Sequence, residues 1–187
     1  MIPLRDKYQA VPELLVDRWF NTPEPVTLAG LRGKVIVIEA FQMLCPGCVS
    51  HGLPQAIAIR ETFPREEVEV IGIHTVFEHH AAMTPVSLEA FLHEYGIGFP
   101  VAVDRPGDGD IPETMKALGL RGTPSLVVLD RRGFMRINLF GRPSDMLVAA
   151  EIARLVFERG PTAGQVATAE PAHGASSPCL PEGCKTS

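Results

Sequence analysis

Long apolar runs are missing from this sequence, and so is any surplus of positive charge. No stretch reaches the roughly 20 apolar residues that a bilayer-crossing helix requires, so no membrane partner is expected. Seventeen Lys and Arg against 22 Asp and Glu leave a formal charge of -5. A chain that neutralises phosphates needs a basic footprint; no positive block supplies one, and nucleic acid is not an expected partner either. Aromatic residues make up only 6% of the chain, with a single tryptophan. Cysteines are also few: four, in two close pairs, Cys45 with Cys48 and Cys179 with Cys184. This is not the scattered spacing of a disulfide-stapled secreted framework, and close pairs point instead to redox work or metal binding. The opening residues Met1 to Lys7 include basic side chains but no apolar h-region and no small-residue cleavage site, so a cytoplasmic location is expected.

What is present is the composition of a globular protein, 45% hydrophobic and 21% charged over 187 residues, enough for one domain with an appendage. The domain is expected over residues 1–159. From 160 to 187 the sequence turns to Pro, Ala, Gly, Ser and Thr, a composition that buries too little apolar area to offset the entropy of ordering, and a flexible tail carrying the second cysteine pair is expected there. Val35 to Phe41 is β-branched and almost continuously apolar, the pattern of a strand buried on both faces, with Glu39 as its one interruption. After the Cys45-Pro46-Gly47-Cys48 motif comes a helix to about Phe63, kinked at Pro54. Val68 to His74 reads as a second buried strand, parallel to the first across that helix. Thr84-Pro85 opens a helix through Leu88, Phe91, Leu92 and Tyr95, stopped by Gly96. A strand at Phe99 to Val103 and a short helix at Asp110 to Leu118 follow. Ser125 to Leu129 and Phe134 to Phe140 form a hairpin about Asp130-Arg131-Arg132-Gly133. Ser144 caps a last helix with apolar positions Met146, Leu147, Ile152, Leu155 and Val156. The expected fold class is α/β, a mixed central sheet flanked by helices.

The dithiol motif carries the chemistry. A cysteine at the junction of a buried strand and a helix sits where unpaired amides and the helix dipole favour negative charge, and a second cysteine one turn on can attack a mixed disulfide formed on the first. A C-x-x-C pair could also be half of a zinc site or two incidental thiols. Structural zinc takes four ligands, usually from a second such pair, and the βαβ setting favours redox.

VIVIEAFQMLCPGC preceded by Gly33-Lys34, together with Gly122-Thr123-Pro124 leading into SLVVLDRRG, resembles the TlpA/ResA-like branch of the thioredoxin superfamily, an AhpC/TSA-redoxin type of thioredoxin-like domain. The resemblance runs from about Val11 to Glu158 and includes a lead-in at Pro12-Glu13-Leu14 and Thr27 to Lys34. VIGIHTVFEHH looks like the thioredoxin-like domains attached to DipZ-type and NHL-repeat proteins. The resemblance implies a thioredoxin-like fold and a dithiol-disulfide oxidoreductase, with Cys45 as nucleophile and Cys48 as resolving thiol. It implies that Pro124 is a cis-proline facing the dithiol, that Thr123 offers backbone groups to an extended substrate segment, and that Glu39 assists proton transfer at the second cysteine. Pro46 and Gly47 tune the potential between the sulfurs. Partners would be protein dithiols or disulfides and a thiol electron donor. No organic cofactor and no metal are called for, since sulfur carries the electrons.

The chain departs from that pattern in three places. Leu44 stands where a tryptophan usually precedes the first cysteine, with Gln42 and Met43 also different; the helix proline comes one residue late; and no export signal is seen. Other readings stay open. Soft-metal binding or a copper or mercury metallochaperone could use the same sulfurs, with His51 the nearest of His51, His74, His79 and His80. A thiol peroxidase shares the fold, but the Thr or Ser and the proline that precede its reactive cysteine are Gln42 and Ile38 before Cys45, or Cys45 and Phe41 before Cys48. Cys179 and Cys184 could relay electrons, hold a metal or be incidental.

Overall fold

A computed structural model describes residues 9–158 of the chain. Cys179, Cys184 and the tail boundary at 160–187 lie outside the described residues. Seven strands form one sheet: β1 (Gln9–Ala10), β2 (Val16–Phe20), β3 (Val35–Phe41), β4 (Val68–His74), β5 (Val101–Asp104), β6 (Ser125–Leu129) and β7 (Phe134–Phe140), in the order β1-β7-β6-β3-β4-β5-β2. Strands β3, β4 and β5 run parallel, and β6, β7, β1 and β2 pair antiparallel to their neighbours. The helices are α1 (Leu53–Thr62), α2 (Pro85–Glu94), α3 (Glu113–Ala117) and α4 (Asp145–Phe157).

Every residue of β3, β4 and β6 is buried, because both sheet faces are covered. That is why these segments read as continuous apolar runs rather than alternating ones. The two-residue period still sorts their side chains. Val35, Val37 and Phe41 of β3 join a cluster with Leu53 of α1, Leu88 of α2 and Ile152 of α4, whereas Ile36 and Ile38 point to the opposite face with Ile71, Val127 and Leu118. Trp19 of β2 packs against this second cluster. By the same parity Glu39 belongs to the face that carries α1.

The elements expected from the sequence are present, with instructive shifts. The helix, entered at Pro46, passes through a π-helical turn, Cys48–Gly52, in which the Leu53 amide donates to the Cys48 carbonyl five residues back. Pro54 has no amide and its ring would collide with the carbonyl of Ser50 in a regular helix, so the chain widens the turn just before it. Strand β5 starts after Pro100 rather than at Phe99, and α3 is shorter than expected. Pro112 occupies the position before it, and the Asp104 carboxylate accepts from the Thr114 and Met115 amides at 2.8 and 2.9 Å. Ser144 precedes α4 but its side chain makes no capping bond. Met146 and Leu147, expected on the apolar face of α4, are exposed; Val148, Ile152 and Leu155 form the buried stripe instead. The sequence reading missed β1 and β2, short edge strands with polar residues among the apolar ones.

His74, at the end of β4, is 1% exposed. Its ring lies 5.3 Å from that of Phe41, and among the described residues neither ring nitrogen has a hydrogen-bond partner. Burial lowers its pKa from 6.5 to about 4, since a charged imidazole there would be poorly solvated. The unfolded chain therefore takes up a proton that the folded chain refuses between those values, and stability falls as pH drops from about 6.5 towards 4. His74→Leu should remove from this acid loss a contribution on the order of 2 kcal/mol between neutral pH and pH 5, read as a flatter pH dependence in denaturant melts.

Candidate active site

The two thiols sit where β3 gives way to the helix. The Cys45 amide donates to the Gln42 carbonyl at 3.2 Å, which folds the linker back, and the Val49 amide donates to the Cys45 carbonyl at 3.1 Å. Both cysteines are free thiols. Their surroundings differ. Cys45 is partly exposed, and its sulfur accepts from the Cys48 amide at 3.3 Å and donates to the Thr123 carbonyl at 3.5 Å. Cys48 is fully buried, and burial, with the hydrogen bond its thiol donates to Cys45, pushes that thiol far above the ordinary range. An outer sulfur met by an amide and an inner sulfur kept protonated is the asymmetry that sequential disulfide exchange requires.

The Thr123–Pro124 peptide is cis, as the resemblance implied, and its ring lies against the start of the helix. A Cβ on Gly47 would come 3.1 Å from Pro124 Cδ and 3.8 Å from Cys45 Sγ. A Cβ on Gly52 would fall on Glu39 Oε1 and within 2.8 Å of Pro124 Cβ. Pro124 and Glu39 can approach the helix this closely because two of its residues have no side chain. Glu39 is 1% exposed, and Oε1 has no hydrogen-bond partner among the described residues. Burial, reinforced by the neighbouring Cys45, raises its pKa well above the usual carboxylate range. It does not reach a sheet edge.

In the sequence Gln42 stands out only as a departure from the family pattern. In the structure it is buried and joins three segments. Its Oε1 accepts from the Phe77 amide at 3.3 Å, its Nε2 donates to Glu78 Oε1 at 3.3 Å and to Thr123 Oγ1 at 3.5 Å, and its carbonyl holds Cys45. A strand-end glutamine in an otherwise apolar stretch was the available signal. These segments wall a groove of about 570 Å³ beside Cys45, with Leu44, Phe77, Glu78, Thr123 and Phe140 among its lining residues. Leu44 and Phe140 are 57% and 51% exposed. Of the histidines singled out in the sequence, His79 lines this groove and the other three do not. His51 Nε2 lies 3.0 Å from the Pro143 carbonyl, His74 is in the core, and His79 and His80 are exposed on the loop after β4. Among the described residues no three His, Cys, Asp or Glu side chains converge as a metal site.

Residues 9–137 match the AhpC/TSA family. The chain belongs to the AhpC/TSA family. Solved structures refine the placement. The chain is 60% identical to a thioredoxin-like superfamily protein, with a TM-score of 0.80 over 81% of this chain and 99% of that one. It is 48% identical to a thiol-disulfide isomerase from Corynebacterium glutamicum, TM-score 0.77, over 80% and 97% of the two chains. A DsbE-type thiol:disulfide interchange protein from Chlorobium tepidum shares the fold at 18% identity and a TM-score of 0.66, over 81% and 98%. DipZ of Mycobacterium bovis is 31% identical over 88 residues, which are 46% of this chain and only 12% of that protein's length. This AhpC/TSA chain thus has a thioredoxin-like fold, in a family of thiol-disulfide oxidoreductases.

The close approach at Gly52 yields an expectation opposite to helix propensity. Alanine is the better helix former by about 1 kcal/mol, yet Gly52→Ala should destabilise the protein by roughly 1–3 kcal/mol through overpacking on Glu39 and Pro124. Combining it with Glu39→Ala should recover part of the loss in a double-mutant cycle of denaturant melts.

Proposed function

We propose that the chain exchanges electrons with protein disulfides through Cys45 and Cys48, Cys45 acting as nucleophile and Cys48 as resolving thiol. The observation that carries this reading is the unequal setting of the two sulfurs, one partly open to the groove with an amide aimed at it, the other sealed beneath the helix. In the first step the Cys45 thiolate attacks a substrate disulfide; a Cys45–substrate S–S bond forms, and the other substrate sulfur leaves as a thiolate that takes up a proton. In the second step Cys48 loses its proton and attacks Cys45, the Cys45–Cys48 bond forms, and the reduced substrate departs. Two electrons and two protons have passed to the substrate, and a thiol donor restores the dithiol. Run in reverse, the same steps oxidise a dithiol.

The second step needs a base inside the protein, because solvent does not reach Cys48. We assign this role to Glu39, supported by its place on the helix-facing side of β3, its close approach to Gly52 and its electrostatic coupling to Cys45. A carboxylate whose proton affinity has been raised by burial is better matched to a high-pKa thiol than an exposed one, and in the reverse direction its acid form returns the proton. In the groove, Leu44 and Phe140 offer apolar contact to residues flanking a substrate cysteine, and Thr123 offers backbone to an extended segment.

Two measurements test the scheme. Cys48→Ser should accumulate a stable mixed disulfide through Cys45 when incubated with insulin, and Cys45→Ser should accumulate none; equal trapping by both would overturn the assignment of roles. Glu39→Gln should slow decay of the mixed disulfide about 10²-fold in rapid-mixing experiments. It should also raise stability at neutral and alkaline pH. Because the folded pKa of Glu39 lies above the unfolded value, the stability linked to its proton is complete below the unfolded pKa and is lost as pH rises through the folded one.

A further inference from the structure

Beside Cys45 lies a groove whose walls are apolar at Leu44, Phe77 and Phe140 and carry one anion, Glu78. The sequence contains one other pair of thiols, Cys179 and Cys184, within Pro178-Cys179-Leu180-Pro181-Glu182-Gly183-Cys184-Lys185. We propose that this C-terminal segment is the groove's intramolecular occupant and that Cys179/Cys184 is a second dithiol exchanging directly with Cys45/Cys48; the proposal rests on the dithiol reading above.

Three observations support this occupant. The first is reach. Glu158, the last described residue, has its carboxylate 3.0 Å from Arg136 Nη1 on β7, and Phe140, at the groove, is four residues along the same strand, about 14 Å. Twenty residues separate Glu158 from Cys179, a contour of up to about 70 Å, so length does not restrict the encounter. The second is complementarity. Leu180 suits the apolar walls, and Lys185 follows Cys184 with a charge opposite to that of Glu78. The third is concentration. A partner joined by a linker of this length is present at an effective concentration in the millimolar range.

The exchange balances without a further reagent. An external protein disulfide is reduced by the tail dithiol, which leaves Cys179–Cys184 as a disulfide. The Cys45 thiolate attacks one tail sulfur, the Cys179–Cys184 bond breaks, and the displaced thiolate is protonated. Cys48 then gives up its proton, attacks Cys45 and releases the second tail thiol. Two electrons and two protons move from the domain dithiol to the tail, which is ready for another substrate, and the thiol donor of the scheme above re-reduces the Cys45–Cys48 disulfide before the next exchange.

The test uses the full chain carrying Cys48→Ser, oxidised with glutathione disulfide and analysed by non-reducing electrophoresis and peptide mass spectrometry. The expected product is a Cys45–Cys179 or Cys45–Cys184 link within a single chain. Its rate of formation should not change on dilution and should fall several-fold with Phe140→Ser. Cys45 found only as its glutathione adduct, or linked only between two chains, would overturn the intramolecular relay and leave the dithiol reading intact. A Cys45 that forms no disulfide with glutathione or with the tail would overturn both.

Discussion

Everything distinctive about this dithiol depends on one close approach: the first turns of the helix after β3 rest on Pro124 and Glu39 with no side chain between them at Gly47 and Gly52. That contact keeps solvent from Cys48 and from the Glu39 carboxyl, and burial is the leading cause of the upward shift in both groups. It also puts the Thr123 carbonyl within reach of Cys45. Pull the helix away by the width of a methyl group and the inner thiol, the Glu39 carboxyl and the groove wall would all be altered together. Chemistry and packing are here a single constraint.

Much of this was legible in the sequence because the elements involved obey strong local rules. Val35 to Phe41 and Val68 to His74 are continuous β-branched runs, and the structure buries them on both faces. Thr84-Pro85 and Gly96 bound α2, with the Ser87 amide donating to Thr84 Oγ1. The cis bond at Pro124 and the buried state of Glu39 followed from resemblance rather than from any periodicity. What escaped notice depends on contacts between distant parts of the chain. Strand β2 has exposed polar residues and exists because it pairs with β5. Met146 and Leu147 satisfy a helical hydrophobic pattern, but α4 is rotated so that Val148 and Ile152 face the sheet. Gln42 gains its importance from partners 35 to 81 positions away, which no window along the sequence brings together.

Two buried ionisable groups lie on neighbouring strands and respond to pH in opposite senses. His74 resists gaining a proton and Glu39 resists losing one, both because charge is poorly solvated at their depth. Their roles differ. Glu39 is coupled to Cys45, whereas His74 packs on Phe41 at the end of β4. The uncharged forms of both suit the fold, so the protein is best packed where neither is ionised.

Leu44, not a tryptophan, precedes Cys45, and the chain's single indole, Trp19, belongs to edge strand β2 and packs on the sheet face away from α1. Its emission is therefore an optical gauge of whether that edge remains docked. Electron transfer at the sulfurs must be followed by another signal, such as thiol absorbance after labelling or a change in mass.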